Sequence, residues 1–199
     1  ILFLSSSYLN NSDNIHQQGF NSKYNVYSVL KPNDLKFADE LVPNTSLDVW
    51  ERLDKELLKN IYWQSNTLLY FKRANKYFPI IEEILAKNNI PDDFKYLALI
   101  ESGFEYTVSP SGAAGFWQIM RETAREYGLE VNYAIDERYN LRKSTEAACS
   151  YLRKAYDEFG SWTMAAASYN MGINGVRRKI EKQETNNYFN LHLNDETSR

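Results

Sequence analysis

The sequence predicts an all-α protein built from many short helices. From Leu47 onward, apolar residues recur at spacings of three and four, and caps or breakers bracket each such run. No stretch of useful length alternates apolar and polar residues as a strand does. There are no heptads and no repeat of fixed period, so neither a coiled coil nor a solenoid is indicated.

Residues 1–45 are rich in Ser and Asn and show no sustained period, which predicts an extended or partly ordered arm. Val49, Trp50, Leu53 and Leu57 mark a first amphipathic helix, and Leu68, Leu69 and Phe71 a second. Pro79 suits the first turn of a third, with Ile80, Ile81, Ile84 and Leu85 as its stripe and Asn88 and Asn89 as its end. Pro91, Asp92 and Asp93 then open a helix that Gly103 stops. Beyond it the texture changes, since seven of the eight glycines lie between Gly103 and Gly175. Ser109–Gly115 is a loop by composition, and Phe116, Ile119, Met120, Thr123 and Tyr127 predict a helix stopped at Gly128. Ser144 to Phe159 forms a long helix stopped at Gly160. Ser161 caps another from Trp162 to Met171, with Gly172 as its stop, and a last helix around Val176 and Ile180 fades into a polar tail.

A chain of 199 residues with 43% apolar and 25% charged content has the make-up of an ordinary globular protein with one sizeable core. A net charge of -3 indicates neither a nucleic-acid partner nor a polybasic membrane patch. The single cysteine, Cys149, excludes an internal disulfide, and its Ala-rich helix makes it a small buried hydrophobe. The two histidines, His16 and His192, lie in the polar ends, which argues against His-based nucleophile activation and His-rich metal sites. No phosphate-cradling glycine motif occurs, and no cofactor is expected. The start Ile1-Leu-Phe-Leu followed by Ser5-Ser-Ser7 is like the end of an export signal, and no run reaches the length of a membrane span.

Carboxylate chemistry remains, and one carboxyl stands out. Phe94, Leu97, Ala98 and Glu101 fall at i, i+3, i+4 and i+7, so Glu101 points where core residues point. It also sits in the last helical turn, where the helix dipole disfavours an anion. Both effects favour the neutral acid, the form that general acid catalysis uses. A Glu that snorkels out or pairs with Lys or Arg fits the same pattern.

Three short signatures follow one another: Glu101-Ser102, Gly115-Phe-Trp-Gln118 and Ser168-Tyr-Asn170. In this order, with a Gly-rich loop between the first two and Gly172 closing the third, they resemble the lytic transglycosylase (SLT) family. VSPSGAAGFWQIM, STEAACSYL and WTMAAASYNMG look like the membrane-bound lytic murein transglycosylase D branch, and the resemblance runs from about Val42 to Lys182. It implies a lysozyme-like helical fold divided into an arm (1–45), a helical extension packed on the core (46–90), a catalytic core (91–182) and a polar tail (183–199).

The resemblance further implies cleavage of the β-1,4 bond between N-acetylmuramic acid and N-acetylglucosamine, with Glu101 as acid and then base and a 1,6-anhydro product. Ser102, Gln118, Tyr169 and Asn170 become the substrate-binding residues, with Tyr139 a further candidate in the same groove. Glu105 is a weak candidate for a second acid, because Gly103 breaks the helix between the two. The implied partner is the peptidoglycan glycan strand, and the implied setting is the periplasm or outer membrane, with a monomeric chain. A hydrolase on the same fold and a non-catalytic peptidoglycan-binding module are the alternatives. Ser168 stands where the family has Ala, Phe116 where it has Leu, and Asn140-Leu141 where it has Asp-Pro.

Overall fold

The computed structural model describes residues 18, 19, 22, 23, 29–194 and 197. The apolar start at Ile1–Ser7, His16 and most of the expected arm lie outside the described residues. The chain divides into two compact units, residues 1–31 and 32–199. In the first, the Ser22 hydroxyl donates to the Gly19 carbonyl at 2.9 Å. The second carries everything that follows.

Its elements are a hairpin of two short antiparallel strands, β1 (Lys36–Phe37) and β2 (Glu40–Leu41), then seven helices among the described residues. These are α1 (Leu47–Tyr62), α2 (Gln64–Lys87), α3 (Phe94–Ser102), α4 (Arg121–Glu126), α5 (Leu141–Phe159), α6 (Trp162–Met171) and α7 (Ile173–Gln183). Single turns of 3-10 helix lie at Glu137–Tyr139 and Tyr188–Asn190. The all-α class stands, since the hairpin is the one sheet among the described residues.

Local signals place most helix ends. Asn140 caps α5 by accepting from the Lys143 N–H at 3.1 Å, so the Asn-Leu pair keeps the capping function. Ser161 caps α6 through the Met164 N–H, and Gly103 and Gly160 end α3 and α5 in left-handed conformations, φ 56° and 66°.

Two expectations are corrected. The second and third helices are one continuous helix, α2, with Pro79 inside it. Proline removes one N–H and crowds the preceding turn, at about 3 kcal/mol. Ile81, Ile84 and Leu85 are each 3% exposed or less, and burying three such side chains is worth roughly 5–9 kcal/mol, which outweighs it. The helix expected from Phe116 begins only at Arg121. Before it, Ala114 and Ile119 exchange backbone hydrogen bonds at 3.1 and 3.2 Å, and Gln118 takes φ 45°, so this stretch closes a tight loop.

The main core gathers around α5, where Ala147, Ala148, Leu152 and Ala155 are buried and let α2 and α6 approach closely. Fully buried Trp117 fills the centre and donates its indole N–H to Thr145 Oγ1 at 2.9 Å. A smaller cluster joins Met164, Ala167, Val176 and Leu191, with Tyr188 and Leu193 packed on it. The segment of polar composition after α7 thus contributes three apolar side chains to a core.

Candidate active site

Glu101 stands half-buried one residue before the end of α3. The chain leaves the helix abruptly there, with left-handed conformations at both Gly103 and Phe104, each φ 56°. A side chain at position 103 would meet the Tyr70 ring at 3.1 Å, so glycine also answers a close approach. Phe104 adopts this costly conformation because its ring is buried against Tyr77, Phe78 and Phe116. Arg73 of α2 holds the exit, with Nη1 donating to the Gly103 carbonyl at 2.9 Å and Nη2 pairing with Glu105 at 2.6 Å. Glu105 is therefore engaged by Arg73 on the outside of the turn.

The Gly115–Gln118 turn is the hub. Gly115 lies at φ 78°, and a Cβ there would fall 2.0 Å from the Arg138 carbonyl oxygen. No other residue type fits without moving the backbone. Two successive carbonyls of the turn reach opposite neighbours. Phe116 O accepts from the Ser102 hydroxyl at 2.8 Å, and Trp117 O accepts from the Tyr169 hydroxyl at 2.7 Å. The end of α3 and the end of α6 are thereby tied to one four-residue segment. Gln118 folds back, its Nε2 donating to Gly115 O at 2.9 Å and Thr107 O at 3.2 Å, while its Oε1 has no partner among the described residues.

Ser102 uses its hydroxyl internally, since it also accepts from the Phe104 N–H at 3.0 Å. Tyr169 sits against Trp117 and Tyr151, and its hydroxyl lies deep. Burial pushes its pKa well above the ordinary value, and the negative charge of Glu101 adds to that. Asn170 is exposed and, with Gln118 and Tyr169, lines a cavity of about 260 Å3 to which Met120, Thr123 and Tyr151 also contribute; Glu101 is not part of its lining. Tyr139 lies apart from this cavity, its ring tilted against Tyr106 with centroids 5.9 Å apart, and Tyr106 in turn contacts the Phe116 ring at 5.5 Å. Ser102, Gln118 and Tyr169 are thus bonded to or part of the turn, Asn170 shares the cavity, and Tyr139 connects through aromatic rings alone.

Sequence reasoning passed over the residues that hold this arrangement. Arg138, 4% exposed, donates from Nη1 to the Gly112 and Ile119 carbonyls at 2.8 and 3.0 Å. Its Nε and Nη2 make a two-pronged contact with Asp136 at 2.9 and 2.7 Å, which holds that carboxyl below its usual range. Arg73 and Tyr151, whose hydroxyl donates to Ser168 O at 2.6 Å, play comparable parts. None carries a motif that would mark it.

The transglycosylase SLT domain family model matches residues 78–192, which includes the turn, both helix ends and the Arg138 clamp. The chain is 31% identical over 155 residues to the membrane-bound lytic murein transglycosylase D of Escherichia coli (strain K12), and equally to that of Escherichia coli O6:H1 (strain CFT073). In each case the match covers 75% of this chain and 33% of the relative, so this chain spans about a third of their length. It is also 32% identical over 127 residues to a protein of Alteromonas sp. (strain M-1) whose name links it to tributyltin chloride resistance, covering 62% of this chain and 60% of that one. With the family model spanning more than half of its length, this chain belongs to the transglycosylase SLT domain family.

Proposed function

We propose that this chain is the catalytic part of a peptidoglycan lytic transglycosylase in which Glu101 serves alone as acid and then as base. The observation that carries the reading is the place of Glu101 beside Ser102, whose hydroxyl binds the same Gly115–Gln118 turn that Tyr169 binds, while the next carboxylate, Glu105, is held by Arg73.

In the first step the Glu101 carboxyl gives its proton to the glycosidic oxygen, and the bond from that oxygen to C1 of N-acetylmuramic acid breaks. The N-acetylglucosamine side leaves with a C4 hydroxyl, and the positive charge developing at C1 is eased by the N-acetyl group of the same sugar. In the second step the Glu101 carboxylate takes the proton of the C6 hydroxyl as that oxygen bonds to C1. A 1,6-anhydro ring forms, Glu101 is again protonated, and no water is consumed. One carboxyl suffices, whereas most glycosidases place two about 5–9 Å apart.

The geometry supports a role for each neighbouring residue. The open Oε1 of Gln118 is suited to accept from an N-acetyl N–H, and exposed Asn170 to bind sugar hydroxyls. Ser102 and Tyr169 act as positioning residues, because their hydroxyls are spent on the turn's carbonyls. The Tyr139–Tyr106 pair offers faces for a sugar ring. The names of the Escherichia coli relatives support an exported, wall-facing location.

Digestion of purified sacculi followed by mass spectrometry tests the mechanism. Wild type is expected to release muropeptides one water lighter than their hydrolytic counterparts, and Glu101→Gln to lose at least about a thousandfold in rate, as loss of an essential acid–base group does. Hydrated reducing ends would replace this mechanism with hydrolysis on the same fold. Equal cleavage by Glu101→Gln would remove the acid role from this residue, and cleavage by neither protein would favour a binding module.

A further inference from the structure

The first turns of α2 keep large apolar side chains in solvent. Ala74, Tyr77, Ile81 and Ile84 pack into the core, while Leu68 and Phe71, nearer the start of the helix, do not. Phe71 is 69% exposed and Leu68 62%. Only Trp63, 61% exposed, separates α1 from α2, and Ile61 and Tyr62 stand beside it on the last turn of α1. The elbow between the two helices therefore presents a cluster of large apolar and aromatic side chains.

Charge distinguishes this cluster from an ordinary unpaired face. No Asp or Glu occurs from Leu57 to Ile81, while Lys59, Lys72, Arg73 and Lys76 do, in a chain whose net charge is -3. Lys59 pairs back to Glu56 and Arg73 to Glu105. Lys72 and Lys76 have no acidic partner among the described residues. Exposed Trp, Tyr, Phe and Leu bordered by lysines without acids match the requirements of a bilayer interface. There the rings enter the headgroup layer, the lysine stems snorkel, and the ammonium groups meet lipid phosphates.

We propose that the α1–α2 elbow docks this protein onto an anionic phospholipid surface. The elbow lies on the bilayer, since no helix among the described residues is long and apolar enough to cross one. Arg73, which grips the end of the Glu101 helix, stands between Lys72 and Lys76, so the docked helix would hold the catalytic turn close to the bilayer. The proposal stands whether or not Glu101 performs the chemistry above.

Co-sedimentation with vesicles of phosphatidylethanolamine containing phosphatidylglycerol tests it, against vesicles of phosphatidylcholine alone. Wild type is expected to partition onto the anionic vesicles, and Trp63→Ser/Phe71→Ser to lose at least about tenfold in partition with its melting temperature unchanged, because both side chains are exposed. Lys72→Gln/Lys76→Gln is expected to lose about tenfold or more on anionic vesicles, at roughly fivefold per lysine, and to match wild type on phosphatidylcholine. Wild type left in the supernatant, or a Trp63→Ser/Phe71→Ser protein that binds as wild type does, overturns the proposal. So does a wild-type dimer in sedimentation velocity that this double variant dissolves while neither protein binds vesicles, which would make the elbow a contact between copies.

Discussion

Glu101 acquires its setting from residues elsewhere in the fold. The Gly115 backbone lies so close to the Arg138 carbonyl that a methyl group would sit 2.0 Å from its oxygen, at a φ of 78° that disfavours any side chain. Gly115→Ala is therefore expected to destabilise the protein by about 2–4 kcal/mol, a strain-plus-clash cost, measurable by urea denaturation. It should also lower sacculus cleavage under conditions where the variant remains folded, because the carbonyls that bind Ser102 and Tyr169 shift with the turn. Glu101 was legible at this scale from its place on an apolar helix face, and Gln118 and Tyr169 from their motifs. The partners were not. Ser102 is adjacent to Glu101, but its hydroxyl binds a carbonyl 14 residues away, and Tyr169 binds one 52 residues away. No local pattern encodes such pairings.

At the scale of elements, the hairpin of residues 36–41 is a strap between two helix starts. The Ala38 N–H donates to Asp93 just before α3, and Glu40 caps α6. The Glu40 carboxylate accepts from the Thr163 N–H at 3.0 Å, the Ser161 hydroxyl at 2.8 Å, and also the Trp162 N–H. Partial burial works against its charge, but these hydrogen bonds prevail and hold its pKa below the ordinary value. A carboxyl depressed in the folded state contributes stability above its unfolded pKa of about 4.3, and that contribution fades as the pH falls through the folded value. Glu40→Gln is thus expected to lose about 1–3 kcal/mol at neutral pH. Its stability should also fall less steeply than that of wild type as the pH drops below about 4, with urea midpoints across pH as the measurement. Asp136 and Glu137 are depressed too and titrate in both proteins, so the difference between the two curves isolates Glu40.

At the scale of the whole molecule, α5 is the axis against which α2 and α6 pack, and Cys149 reports on it. The thiol is 1% exposed, and burial, then the charge of Glu146, push its pKa up to about 12. In the native state at pH 8 it should react with an aromatic disulfide reagent at least about a thousandfold more slowly than in urea, at a rate that tracks opening of the core. Fast native labelling would show that the α5 face opens without global unfolding.

By itself the sequence determined the helical class, the caps and stops at Asn140, Ser161, Gly103 and Gly160, and the three signatures around Glu101. All of these act within about four residues of chain, the range over which capping and helical periodicity operate. Tertiary structure alone decided that α2 runs through Pro79, that Phe104 and Gln118 take left-handed conformations, and that Arg138 locks the Gly115–Gln118 turn. Each of these carries a local cost of a few kcal/mol or less, and only side chains brought from elsewhere in the fold can outweigh it.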